Sequence, residues 1–396
     1  MNFRTFIAGL VLLAGCQTPE PRSEPAPEIQ VQFEDTTSQK EPPKKTDDCA
    51  SEVPVIDLDG SLARILPASV LQNPGKFRVQ ILVSFQTPEG CLSQWIYRAD
   101  EEYFYPASAI KTVASLEALR LAEELGVGLD EPLRFQDSEP AETSLRKLVE
   151  DTQIISSNLA FNRLYEFAGP DRIHQYFWSQ GFSSLRLLHR MFSKRTLDEE
   201  RIVPAIEICR GGPCAFEPLL PRREGKALTV EKSVNTLIGE SYLDPLSNEL
   251  KVEPMDFSVK NAFDLRDHQK LHRTLIFGEF PGLSLASRNF LLETMSRAPE
   301  SSLTRFKPLT PGLSEARLRY TNKAGRALGF HVENAALSDP RRPLGQCPVL
   351  FVSAAIYVNE DGRLNDDQYE YDTISFPFFE ALGREVSAYL EHITCT

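Results

Sequence analysis

Strand-like and helical periodicities are segregated along this chain, and that order restricts the folds open to it. Residues 77–85 alternate and are rich in Val and Ile; Pro88-Glu89-Gly90 follows, and 92–98 resumes an extended pattern. Together these segments read as a hairpin. A long helical block comes next. From Ser108 to Leu125 the apolar residues Ile110, Val113, Leu116, Leu119 and Leu121 fall at helical spacing, and Gly126 ends the run. Residues 145–152, a stretch through Leu159, Phe161, Leu164 and Phe167 that closes at Gly169-Pro170, and residues 171–180 predict three more helices. Residues 197–252 carry little periodicity beyond a basic loop at 222–226 and a helix expected from Val230, and 285–296 is helical again. Extended patterns return at 318–320, 329–337 and 349–358, and 377–393 predicts a final amphipathic helix. Strands near both ends that pair across a helical insertion give an α/β body with a second, all-α lobe.

The amino-terminal residues stand apart from this body. Residues 6–14 form an apolar stretch too short for a permanent span, which needs about 20 residues. It closes on Leu13-Ala14-Gly15-Cys16, and a short apolar run ending in small residues reads as a cleavable export signal. The motif resembles the bacterial lipobox, which implies cleavage after residue 15 and lipidation of Cys16. Residues 16–48 are rich in Pro, Glu, Ser, Thr, Lys and Gln, and such a segment buries too little apolar surface to order itself. It is read as a linker, and 49–396 as the folded domain. The expected location is the bacterial cell envelope, with a lipid anchor; Gln17 after the lipobox cysteine suggests the outer membrane in a Gram-negative cell. A net charge of −13 argues against nucleic-acid binding. Cys49, Cys91, Cys209, Cys214, Cys347 and Cys395 suggest disulfides in an exported chain. Cys209 and Cys214 can close a small loop, and the other four allow three pairings. The histidines show no ligand spacing, and no metal or cofactor is expected.

Three short segments carry the chemistry. Ser108 and Lys111 share one face at the start of a helix, so the amine can take the hydroxyl proton once burial lowers its pKa. The helix start also offers backbone N–H groups to an oxyanion. Ser156-Ser157-Asn158 enters a helix, where Ser156 can relay a proton and Asn158 can bind an amide. Lys323-Ala324-Gly325 precedes an extended stretch, where the glycine admits close approach and the lysine attracts a carboxylate.

In this order the segments resemble the S-x-x-K, S-D-N and K-T-G elements of penicilloyl-serine enzymes. The flanks, including Ala160 and Asn162 and the approach to Lys323, look like class A β-lactamases from about residue 77 to 390. The resemblance implies an antiparallel five-stranded sheet flanked by helices (about 49–107 and 318–396) and an all-α lobe (about 108–317). It implies Ser108 as the acylated nucleophile, Lys111 as its base and Ser156 as a proton relay. Asn158, Lys323 and Gly325 would hold substrate, and the backbone N–H groups of Ser108 and Arg326 would form the oxyanion hole. The expected partner is a small-molecule β-lactam or peptidoglycan peptide, with the membrane reached through Cys16 and the protein acting as a monomer. Three departures stand out. Ser157 replaces the family's aspartate, Ala324 replaces its threonine, and Phe192 falls where the deacylating glutamate belongs. Glu199, Glu200 and Glu207 lie downstream as substitutes if the loop is rebuilt. The alternatives are a penicillin-binding cell-wall peptidase and a non-catalytic binding protein on the same fold.

Overall fold

The computed structural model describes residues 53–396 apart from 137–141, 212–213, 229–233, 246, 315–317 and 396. The export signal, Cys16, the linker and Cys49 lie outside the described residues.

The hairpin is formed by Gln80–Gln86 and Leu92–Tyr97, paired antiparallel with Ile81 opposite Tyr97 and Gln86 opposite Leu92. Gln80–Gln86 also pairs with Val349–Tyr357, which pairs with Phe330–Ser338. The edge beyond is made by Arg319–Asn322 and Gly325–Ala327, both antiparallel to Phe330–Ser338. Asn322 faces Ala335 and Gly325 faces Val332, so the register passes through Lys323 and Ala324 without a bulge. The two pieces act as one edge strand, and the antiparallel sheet is five strands wide.

Phe330–Ser338 and Val349–Tyr357 are buried at every position. An antiparallel sheet normally alternates buried and exposed residues; continuous burial means that both faces are covered. Leu337, Leu350, Val352 and Ile356 share one core with Phe378, Phe379, Leu382 and Val386 of the helix Phe376–Val386. On the other face, Gln269 of the helix Leu265–Phe277 donates to Leu82 O (2.9 Å) and Ser353 Oγ (3.3 Å). A third core surrounds the helix Lys111–Glu124, whose Val113, Leu116 and Leu119 are fully buried together with Phe161, Leu164 and Phe177. Gly126, at φ 62°, ends that helix in a left-handed turn and lets Val127 N–H return to Ala122 O (2.8 Å). Leu145–Ile154, Asn158–Ala168 and Pro170–Ser179 form where their periodicity predicts them, and Leu285–Ser296 does likewise. No helix among the described residues is long and apolar enough to cross a membrane.

The region 197–259 differs from expectation. The start of the helix expected from Val230 lies outside the described residues; from 234 on, Val234–Thr236 is one 3-10 turn, followed by the short strands Leu237–Ile238, Ser241–Leu243, Leu250–Lys251 and Met255–Asp256. The basic loop is docked. Arg223 donates to the carbonyls of Glu166 (2.7 Å) and Phe167 (3.1 Å), capping the end of the helix Asn158–Ala168. Cys209 and Cys214 lie at disulfide distance (Cα–Cα 5.4 Å), as do Cys347 and Cys395 (5.6 Å).

His268 and His272 are buried on the helix Leu265–Phe277, and no ring nitrogen of either has a hydrogen-bond partner. Burial holds both imidazoles down to about 3. Unfolding exposes them to water, where an imidazole titrates near about 6.5. The folded pKa is the lower one, so their contribution to stability is complete above the unfolded value of about 6.5 and is lost as pH falls from there toward 3. Urea midpoints measured from pH 7 to pH 4 are expected to fall steeply for the wild type and less steeply for His272→Leu. Equal slopes would remove these histidines as the cause.

Candidate active site

Ser108 lies in the 3-10 turn Ala107–Ile110 that leads directly into the helix Lys111–Glu124. Ala107, just before it, has φ 46°, so the chain turns sharply to present the serine. Ser108 is half-buried and Lys111 is fully buried one turn later. The Lys111 ammonium nitrogen donates to Ser156 O and to Asn158 Oδ1, both at 2.6 Å, and lies 3.4 Å from Ser156 Oγ. Burial, together with the charge of the neighbouring Lys323, pulls Lys111 down to about 6. A neutral amine has two N–H bonds and one lone pair. The two short bonds can use both hydrogens, which leaves the lone pair to receive a proton.

Ser156 is held at φ 56° between the helices Leu145–Ile154 and Asn158–Ala168. Its hydroxyl accepts a hydrogen bond from Lys323 Nζ at 2.9 Å. The two lysines therefore meet on one serine. Lys323 also donates to Ala324 O (3.2 Å), and burial lowers it to about 7 while Glu333 acts in the opposite direction. Glu333 is itself fully buried and accepts from Asn322 Nδ2 (2.9 and 3.1 Å), Tyr320 Oη (3.1 Å) and Asn334 N–H (2.8 Å). Burial raises it to about 7, against those hydrogen bonds.

Gly325 fixes the strand against the serine turn. A Cβ there would stand 2.3 Å from Pro106 O, 2.6 Å from Ala109 N and 2.9 Å from Ser108 N. No side chain fits in that space, so the backbone of the edge strand lies directly on the turn that carries Ser108. Arg326 follows in the same strand, opposite His331, and its guanidinium packs 4.9 Å from the Tyr371 ring centre and 5.2 Å from that of Phe376. Ser108, Lys111, Ser156, Asn158, Lys323, Gly325 and Arg326 are thus drawn from three separate segments to one place. Ser157, in place of an aspartate, caps the helix Asn158–Ala168 by accepting from Ala160 N–H (3.2 Å), a task either residue can perform.

The proposed substitutes for the missing glutamate are all engaged elsewhere. Glu200 is buried and pairs with Arg190 (2.8 Å), whose Nε also pairs with Glu166 (2.9 Å). Glu199 closes a capping box with Thr196, accepting its N–H at 2.7 Å. Glu207 lies in the strand Ile206–Cys209, 3.5 Å from Arg134. Phe192, where the carboxylate is expected, is 92% exposed. The Arg190 ion network is a site feature that reading the sequence missed, because nothing in the local pattern pairs an arginine with acids 24 residues before and 10 after it. Among the described residues, no group of three or more His, Cys, Asp or Glu side chains is placed to hold a metal.

The sequence model of the β-lactamase enzyme family matches residues 78–347. No curated protein matches the chain. Among solved structures, the fold is similar to a variant of the last common ancestor of Gram-negative bacteria class A β-lactamase bound to 5(6)-nitrobenzotriazole. That match has a TM-score of 0.51 at 18% identity and covers 85% of this chain and 99% of that one. A β-lactamase from Xanthomonas campestris pv. campestris gives 0.51 at 17% identity, with 85% and 100% covered. At these identities the likeness is one of fold.

Gly325→Ala forces a methyl group into backbone and is expected to destabilise the protein by about 1–3 kcal/mol. Urea unfolding reads this; an unchanged midpoint would show that strand and turn separate freely.

Proposed function

Because the chain belongs to the β-lactamase enzyme family, we propose that it is a serine hydrolase that takes a β-lactam, or a related acyl-D-amino-acid amide, onto Ser108 and releases it slowly. The observation that carries this reading is the meeting of Lys111 and Lys323 on Ser156, beside the turn that presents Ser108. In the proposed reaction the Lys111 lone pair removes the Ser108 proton as Oγ attacks the carbonyl carbon. The new oxyanion is held by the backbone N–H groups of Ser108 and Arg326. As the C–N bond breaks, the proton held by Lys111 passes through Ser156 to the leaving nitrogen, and an ester on Ser108 results. Lys323 attracts the substrate carboxylate, and Asn158 binds the substrate amide.

Slow release is supported by the engagement of Glu199, Glu200 and Glu207 and by the phenylalanine at position 192. Loss of one poised general base costs about 10²–10⁴-fold. The same residues serve a penicillin-binding peptidase, and the absent base favours that as the second reading. Export and lipidation at Cys16 would set either activity in the cell envelope.

A fluorescent penicillin is expected to label the wild type covalently and to leave Ser108→Ala unlabelled. A chromogenic cephalosporin is expected to give a burst followed by slow turnover. No label on the wild type would discard the acylation, and fast steady turnover would discard the slow release.

The labelling rate carries a pH signature. Below about 6 Lys111 holds its proton and has no lone pair, so the rate is expected to climb through that pH, and to fall again above about 7 as Lys323 loses the charge that attracts the carboxylate. A rate that does not change from pH 5 to pH 8 would dismiss Lys111 as the base.

A further inference from the structure

Glu333 is fully buried in the strand Phe330–Ser338, and the proposed reaction makes no use of it. A buried carboxylate is costly unless hydrogen bonds or a cation compensate it. Here its hydrogen bonds come from neutral donors alone. Asn322 Nδ2 reaches both oxygens (2.9 and 3.1 Å), Tyr320 Oη donates at 3.1 Å and Asn334 N–H at 2.8 Å. An ionised carboxylate is purely an acceptor, and this shell suits that form.

The same donors hold the edge strand. Residues opposite one another in an antiparallel pair point to one face. Tyr320 and Asn322 stand opposite Leu337 and Ala335, so they share with Glu333 the face covered by Phe378, Phe379 and Leu382. Asn322 Nδ2 also donates to Phe306 O (2.7 Å), and Lys307 Nζ donates to Tyr320 O (2.9 Å) and Ser296 O (2.7 Å). Lys323 comes directly after Asn322. Its N–H donates to Asn334 O (3.2 Å), and its side chain turns to the other face, where it meets Ser156. The register sets Glu333 opposite Ala324, immediately behind the segment that delivers Lys323.

Lys323 and Lys307 both feel this carboxyl. Burial lowers them to about 7 and about 8, and Glu333 opposes the fall in each. Lys323 in turn opposes the rise of Glu333. Lys111 faces Lys323 across Ser156. His331, two residues earlier on the same strand face, is held neutral by burial, at about 3, and burial keeps Tyr320 protonated.

We propose that Glu333 is a positioning residue: from the far face of the sheet it holds the strand that carries Lys323 and keeps that lysine charged for the substrate carboxylate. The part played by the substrate rests on the proposed function; the pairing of Glu333 with Lys323 does not.

Lysine ε-carbon NMR on the ligand-free protein reads the charge of Lys323 with no reaction taking place, and Lys323→Met assigns the signal. In Glu333→Gln the Lys323 midpoint is expected to fall by about one pH unit, the low end of what an opposite charge supplies. In Lys323→Met the Glu333 carboxyl signal is expected to titrate higher by the same amount, because one coupling is read from either end. This second arm stands even where Glu333→Gln fails to fold. With fluorescent penicillin at pH 8, Glu333→Gln is expected to be labelled about tenfold more slowly than wild type, the equivalent of that pH unit, and Glu333→Asp to recover most of the rate. Midpoints that stay in place, or a moved midpoint with an unchanged rate at pH 8, would overturn the proposal. Moved midpoints in a protein whose Ser108 is never labelled would retain the pairing and discard the acylation.

Discussion

The close approach of Gly325 to the turn at Ser108 is the contact on which both fold and site depend. It joins the first part of the domain, where the hairpin leads into the serine turn, to the strand laid down more than 200 residues later. The sheet makes that approach possible. Phe330–Ser338 holds Asn322 and Gly325 in one register, and its burial on both faces keeps the edge from shifting. Lys323, between those two positions, is carried to Ser156 by the same register. Displacement of the strand by one residue would turn the lysine to the opposite face.

Electrostatics then act on what the backbone has assembled. Two amines brought out of water onto one hydroxyl cannot both hold a proton comfortably. Lys111 is lowered by burial and by Lys323, whereas Lys323 has Glu333 to oppose its desolvation. The asymmetry comes from a carboxyl buried in the sheet, supported by Asn322 and Tyr320 and outside the three motifs. What lies behind each lysine thus differs, and the lower of the two values falls on Lys111.

Much of this was legible in the order of residues. The hairpin, the helix after Ser108, the strands 330–338 and 349–357 and the carboxy-terminal helix follow from periodicity that packing then reinforces. The helix Leu265–Phe277 escaped notice because its buried face carries His268, Gln269 and His272, so an apolar stripe understates it. Past residue 233 the reading erred the other way, because strands of two and three residues leave no period to detect. The motif residues were readable because each is defined by its neighbours in sequence. The partners of Glu200 and Glu207 were not, since Arg190 and Arg134 are joined to them only by folding.

The clamp on residues 190–191 has a consequence for how this loop tolerates change. Asn162 grips the backbone of Met191, and Arg190 is held by buried carboxylates and carbonyls. None of these bonds involves the side chain that comes next. The mounting does not grip that side chain, so residue 192 can be replaced without dismantling the loop, within what a φ of 53° tolerates.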